Sequence, residues 1–169
     1  KSHGTAIPYL GGVAIVTSFA LMVVIVSLFW PPNTGQNELL VVLAVAVFLS
    51  LVGLVDDLRH VSPLWRIVAE VAAAVVVWTG GTGVIVTTSE VANMSLTVLW
   101  LVGITNAFNL LDNMDGLAAG IAAISSLTIF AIAVTNGQFL VAALAVGLAG
   151  CAIGFLRHNF HPARIFMGD

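Results

Sequence analysis

Charge is scarce in this chain. Only 8% of its 169 residues are Asp, Glu, Lys or Arg, where soluble domains carry roughly a quarter. That shortage excludes an ordinary water-soluble domain. With 60% hydrophobic residues and a mean hydropathy of +1.11, the chain reads as a multi-span membrane protein. Its five Lys and Arg residues form no basic patch and no nucleic-acid motif accompanies them, so no nucleic-acid partner is expected. A single cysteine, Cys151, excludes an internal disulfide and a cysteine metal centre. Lying in an apolar run, it reads as a small core residue. The first residue is Lys1 rather than Met, the last is Asp169 directly after a glycine, and no signal peptide is visible. The sequence is therefore expected to be an internal piece of a longer protein.

Apolar runs dominate what is present. Tyr9–Trp30, Leu39–Val55, Leu64–Thr79, Met94–Leu111, Leu117–Val134 and Phe139–Leu156 are expected as six transmembrane helices. The expected fold class is thus all-α, a polytopic integral membrane protein with residues 1–169 forming part of one transmembrane domain. Pro31-Pro32-Asn33-Thr34-Gly35 breaks the chain after the first run, and Pro63 suits the first helical position of the third. Gly80 to Asn93 is a turn-rich connection in which Val84-Ile85-Val86 is expected to form a short strand. Six spans put both ends on one side. Lys1, Arg59, Arg66, Arg157 and Arg164 all fall there, whereas the opposite loops carry Glu38 and Glu90. That bias marks the side of the ends as cytoplasmic. Tyr9, Trp30, Trp65 and Trp78 lie near helix ends, as an aromatic belt does. Gly116, Gly120, Gly147, Gly150 and Gly154 read as close-packing positions between helices.

The polar residues are few and concentrated. Asn106-Ala-Phe-Asn-Leu-Leu-Asp-Asn-Met-Asp-Gly116 sets two carboxylates and three amides at the end of an apolar run. Ionisable groups are expensive in hydrocarbon, so such a cluster is a functional-site hypothesis by default. Asn106, Asn109, Asp112 and Asp115 recur every three residues, and each step drifts by about 60° on a straight helix. The four cannot share one face; Asp115-Gly116 is expected in a turn, with the cluster lining a pocket at a helix end. Asp56 and Asp57 close the second run, where the helix terminus is itself partly negative. A bound cation or a basic partner would relieve them. Asp56, Asp57, Asp112, Asp115 and Asp169 all map to the cytoplasmic side and could converge on one cleft. Arg66 and Glu70 sit at i,i+4, the spacing of a structural ion pair. Arg157 and Arg164 suit phosphate or simply mark topology. His158 and His161 have zinc-like spacing without an evident third ligand.

Taken in order, these residues resemble one family, the polyprenyl-phosphate N-acetylhexosamine-1-phosphate transferases. Lys1-x-His3 through Pro8-x-Leu-Gly-Gly12 is similar to its first cytoplasmic motif, and Asp56-Asp57 to its paired-aspartate motif. Asn106-Ala-Phe-Asn-x-x-Asp-x-x-Asp-Gly-Leu-Ala118 resembles its most specific signature, and Asn159-x-x-Pro-Ala-Arg-Ile-Phe-Met-Gly-Asp169 the motif ending in a magnesium-binding Asp. The resemblance implies a parent of about ten helices, of which this chain supplies the second to seventh, lacking a later His-rich loop. It also implies transfer of a sugar-1-phosphate from a UDP-sugar to undecaprenyl phosphate at the cytoplasmic face of a bacterial inner membrane, with release of UMP. By the same resemblance Asn109 and Asp169 hold Mg²⁺. Asp56 frees or orients the lipid phosphate, Asp57 supports the site, and Asp112 and Asp115 hold the nucleotide. Lys1, His3, Asn106 and Arg164 contact substrate. Ile7-Pro8-Tyr9-Leu10-Gly11-Gly12 looks more like the N-acetylglucosamine branch than the phospho-N-acetylmuramoyl-pentapeptide branch. The oligomeric state stays open, with a homodimer as one candidate.

Two other classes fit less well. CDP-alcohol phosphotransferases share Asp-x-x-Asp-Gly-x-x-Ala, but Gly120 stands where their Arg belongs and their later aspartates are missing. An ion-coupled transporter places its acids near mid-membrane on interrupted helices, whereas these acids gather at one interface.

Overall fold

A computed structural model of the chain describes residues 10–29, 31 and 34–168. Six helices follow one another: α1 (Gly11–Phe29), α2 (Gln36–Arg59), α3 (Pro63–Thr79), α4 (Glu90–Leu111), α5 (Leu117–Thr135) and α6 (Phe139–Asn159). Hydropathy located every one, with ends displaced by up to four residues. Five of the helices are long and apolar enough to cross a membrane. The exception is α3, whose 17 residues rise about 25 Å, short of a roughly 30 Å hydrocarbon core. Many large apolar side chains are exposed, among them Leu21, Leu28, Leu99, Trp100 and Ile124. Hydrocarbon accepts such a surface and water does not.

The described residues divide into two compact units, residues 10–29 and 31 with 111–168, and residues 34–110. In the first, α5 packs on α6 and α6 on α1. Ala118, Ala119, Ala123, Ala142, Ala145, Ala149 and Ala152 are buried there. Small side chains let helix backbones approach where lipid supplies no hydrophobic drive. The expected glycine contacts are only partly present. A methyl added at Gly116 would meet Leu156, and one at Gly147 would meet Met22, but one at Gly120, Gly150 or Gly154 would meet nothing. Alanine, rather than glycine, carries most of the close packing.

In the second unit α2 packs on α3. Pro63 takes the first position of α3, as its missing N–H allows. The strand expected at Val84–Val86 does not form, and no strand occurs among the described residues. The segment is instead an extended loop fastened to α4. Thr97 Oγ1 accepts from Val84 N–H at 2.9 Å, and Asn93 Oδ1 accepts from Val86 and Thr87 N–H at 3.2 and 3.0 Å. With buried side-chain oxygens satisfying its N–H groups, the loop needs no partner strand.

Candidate active site

Each unit holds its own group of the residues singled out above. In the second unit the group starts at the end of α2. Asp56 and Asp57 lie inside the last turn of that helix, which continues to Arg59 and ends at His60 with φ 50°. The Asp56 carboxylate reaches across the following loop. Its Oδ1 accepts from Val61 N–H at 2.7 Å, and its Oδ2 pairs with Arg66 at 2.7 Å. Asp56 is buried, and the Arg66 side chain is 21% exposed. The basic partner expected for this helix terminus is thus Arg66.

Arg66 therefore does not pair with Glu70. An i,i+4 pair on a helix surface is weak; the guanidinium finds a buried carboxylate on another helix instead. Glu70, only 4% exposed, accepts a hydrogen bond from Asn106 Nδ2 on α4. Asn106 Nδ2 also donates to Val102 O at 2.9 Å, within its own helix. Asn109 lies one turn further along α4 and is half-buried, as is Asp57 on α2.

In the first unit the group is built on loops. Helix α4 ends at Leu111, so Asp112 opens a turn that runs to Gly116, as the threefold spacing implied. Gly116 has φ 74°, a left-handed conformation that glycine adopts without strain. Its N–H donates to Asn159 Oδ1 at 3.0 Å, and Asn159 Nδ2 donates to Ile165 O at 2.9 Å. Asn159, 1% exposed at the end of α6, thereby ties the turn to the tail. Asp115 adds a second tie. Its Oδ2 accepts from Ala163 N–H and lies near His161 Nδ1, both at 3.2 Å. His161 is so engaged with a carboxylate, and no group of three His, Cys, Asp or Glu suited to a metal occurs among the described residues.

The tail in turn caps α1. Gly11 and Gly12 N–H donate to Phe166 and Met167 carbonyls at 3.0 and 2.8 Å. The first four N–H groups of a helix have no partner within it, and here the tail supplies two of the missing acceptors. Arg164 is exposed, its own N–H bonded to His158 O at 2.9 Å. Lys1, His3 and Asp169 lie outside the described residues.

Sequence reasoning missed three features: the Asp56–Arg66 tie, the Glu70–Asn106 pair and the clamp at Asn159. The first crosses the loop between consecutive helices, 10 residues apart, and the second joins residues 36 apart. The third had a signal in the sequence, a carboxamide ending an apolar helix just before a tail that needs a backbone partner.

Residues 39–169 match the family model described as glycosyl transferase family 4. A probable undecaprenyl-phosphate N-acetylglucosaminyl 1-phosphate transferase of Bacillus subtilis is 32% identical over 178 residues, covering 100% of this chain and 48% of the relative. A decaprenyl-phosphate N-acetylglucosaminephosphotransferase of Mycolicibacterium smegmatis is 33% identical over 190 residues, 99% of this chain and 47% of the relative. A phospho-N-acetylmuramoyl-pentapeptide-transferase of Moorella thermoacetica is 53% identical over 74 residues, 44% of this chain and 23% of the relative. The chain spans about half the length of the first two.

Proposed function

Because the chain belongs to glycosyl transferase family 4, we propose that the full-length protein moves N-acetylglucosamine-1-phosphate from UDP-N-acetylglucosamine to undecaprenyl phosphate at the cytoplasmic face of a bacterial inner membrane. A lipid-phosphate oxygen bonds to the phosphorus that carries the sugar, the bond to the UMP oxygen breaks, and UMP leaves. The observation that carries this reading is extent. Similarity to the N-acetylglucosamine enzymes runs through 99% or more of the chain, whereas similarity to the muramoyl-pentapeptide enzyme covers 44%.

Both substrates are anions, so the site must offset charge and exclude misplaced nucleophiles. Asp56, held by Val61 N–H and Arg66, keeps the end of α2 rigid. In this reading it and Asp57 orient the lipid phosphate. Asp112 and Asp115, on the turn after α4, serve the nucleotide portion. Asn106 contacts the same substrate, and Lys1, His3 and Arg164 offset its charge. Asn109 and Asp169 would hold Mg²⁺. A donor set of amide and carboxylate oxygens without imidazole or thiolate suits that hard cation. Bound there, Mg²⁺ supplies charge neutralisation at the diphosphate. With all six helices counted as spans, the five basic residues gather on one side in sequence, which supports the cytoplasmic orientation.

The test uses the full-length protein in membranes with undecaprenyl phosphate, Mg²⁺ and UDP-N-acetylglucosamine. UMP and a lipid-linked sugar diphosphate are the expected products. Turnover of the muramoyl-pentapeptide nucleotide in place of UDP-N-acetylglucosamine would overturn the sugar and keep the reaction; no product from either would overturn the reading.

A further inference from the structure

Glu70 has no part in the mechanism above, yet it is a carboxylate only 4% exposed inside an apolar helix. It stands about 10 Å from the start of α3. Burying such a group is costly unless it is hydrogen-bonded, and its bond comes from Asn106 Nδ2. That bond fixes how the Asn106 amide is turned. The same nitrogen donates to Val102 O at 2.9 Å. Flipping the amide would set its oxygen against a carboxylate oxygen and a carbonyl oxygen at once, so two acceptors select one orientation. Both N–H groups are then committed. What Asn106 has left to offer a ligand is its carbonyl oxygen, an acceptor.

This restricts the partner. Ionised diphosphate oxygens are acceptors too, so Asn106 cannot bind them directly. Its oxygen takes a hydroxyl or N–H donor, or a cation. We infer that Glu70 is a positioning residue, buried in order to turn Asn106 so that the amide presents its oxygen to an electron-poor group of the bound nucleotide sugar or its cation, and not to the phosphates. The inference rests on the sugar-phosphate transferase reading.

The experiment reverses the polarity of the pair in the full-length protein. Asn106→Asp sets two carboxylates against each other and is expected to lower kcat/KM by about 10- to 100-fold, the effect of losing one buried charge-assisted hydrogen bond. Adding Glu70→Gln gives the new carboxylate an N–H donor in place of the opposing charge, while Val102 O still faces an oxygen. The double variant is therefore expected to regain part of the lost kcat/KM. Glu70→Ala, which leaves Val102 O as the amide's remaining acceptor, should lose part of what Asn106→Ala loses, and the two together should be no worse than Asn106→Ala alone. A change confined to KM for UDP-N-acetylglucosamine identifies a donor group of the nucleotide sugar as the partner. A change in the Mg²⁺ concentration for half-maximal rate identifies the cation. Thermal unfolding of the purified variants supplies a readout free of turnover, with Asn106→Asp lowering Tm and Glu70→Gln restoring it. Active wild-type protein with no rescue by Glu70→Gln, or with Glu70→Ala and Asn106→Ala fully additive, overturns the inference. Wild-type protein that transfers no sugar phosphate overturns the functional reading instead, and the Tm pattern then decides the pair.

Discussion

The two units fasten their polar residues in different ways. In residues 34–110 the candidate site residues are tied from helix to helix by side-chain pairs, Asp56 with Arg66 and Glu70 with Asn106. In the unit that includes residues 111–168 the ties run from side chains to backbone, Asn159 to Gly116 and Ile165, and Asp115 to Ala163. The difference follows from where each group sits. A helix satisfies its own mid-helix peptide groups, so a polar side chain on it turns to another side chain or, as Asn93 and Thr97 do, to the N–H groups of an adjoining loop. A turn and a tail leave peptide groups without partners, and a buried peptide group must be paired. Arg66, Glu70 and Asn106 within the helices are thus positioned largely by side-chain partners, whereas Asp115 on its turn and Asn159 at the end of α6 hold backbone.

The sharpest way to break this contrast is at Asn159. Asn159→Leu keeps the size and removes both ends of the clamp. Gly116 N–H and Ile165 C=O would then be left in a buried place, at about 1–3 kcal/mol each. Thermal unfolding in detergent is expected to show the largest loss of the series, with transferase activity falling alongside. A variant of wild-type Tm would mean that the clamp is not what holds the tail.

Next comes Arg66→Met. It leaves the Asp56 carboxylate buried without its cation, which in a fully buried pair costs about 3–5 kcal/mol. Arg66 is 21% exposed, so solvent screens part of this and about 1–3 kcal/mol is expected. Adding Asp56→Asn should recover more than half of the lost stability, because a neutral amide needs no counter-charge. Two lone losses that simply add would show that the residues do not act as a pair.

These two cases also mark how far the sequence could be read. Hydropathy located all six helices because each is an apolar run, five of them long enough to cross a bilayer. The turn at Asp112–Gly116 followed from a spacing that no single helix face can hold. Partners were harder. Local rules offered Arg66 with Glu70, since only near neighbours on one helix can be judged from spacing. The true partners of both depend on how α2, α3 and α4 are placed. Asn159 was visible merely as part of a motif, because nothing local says that its amide reaches 43 residues back to Gly116. The loop at Val84–Val86 has strand-like composition, but composition cannot reveal that Thr97 and Asn93 take up its N–H groups.

Glycine offers a smaller test. A methyl at Gly11 would press on the Phe155 ring and the Phe166 carbonyl oxygen, the latter 2.7 Å away. That oxygen belongs to the backbone tie between tail and α1 and cannot easily retreat. Gly11→Ala is expected to cost about 1–3 kcal/mol, as overpacking does. Gly147→Ala meets the methyl end of Met22, a flexible side chain. It should cost less than about 1 kcal/mol. Equal effects in unfolding measurements would remove the distinction between a backbone neighbour and a side-chain neighbour.

Asp115 gives the smallest expected effect on stability and the most informative one on activity. Its contacts with Ala163 and His161 differ in kind. The bond from Ala163 N–H is part-buried and needs only an oxygen acceptor. The contact with His161 involves a side chain 77% exposed, and exposed ion pairs contribute about 0–1 kcal/mol. Asp115→Asn preserves the first and gives up the charge in the second, so Tm should scarcely move. If Asp115 serves only as glue for the tail, transfer should be equally unaffected. If it also meets the nucleotide, as proposed, the loss of its charge should raise KM for UDP-N-acetylglucosamine or lower kcat while stability stays intact. Asp115→Leu removes both duties and should lower Tm as well. Comparing the two substitutions therefore separates the part of Asp115 that holds backbone from the part that faces substrate.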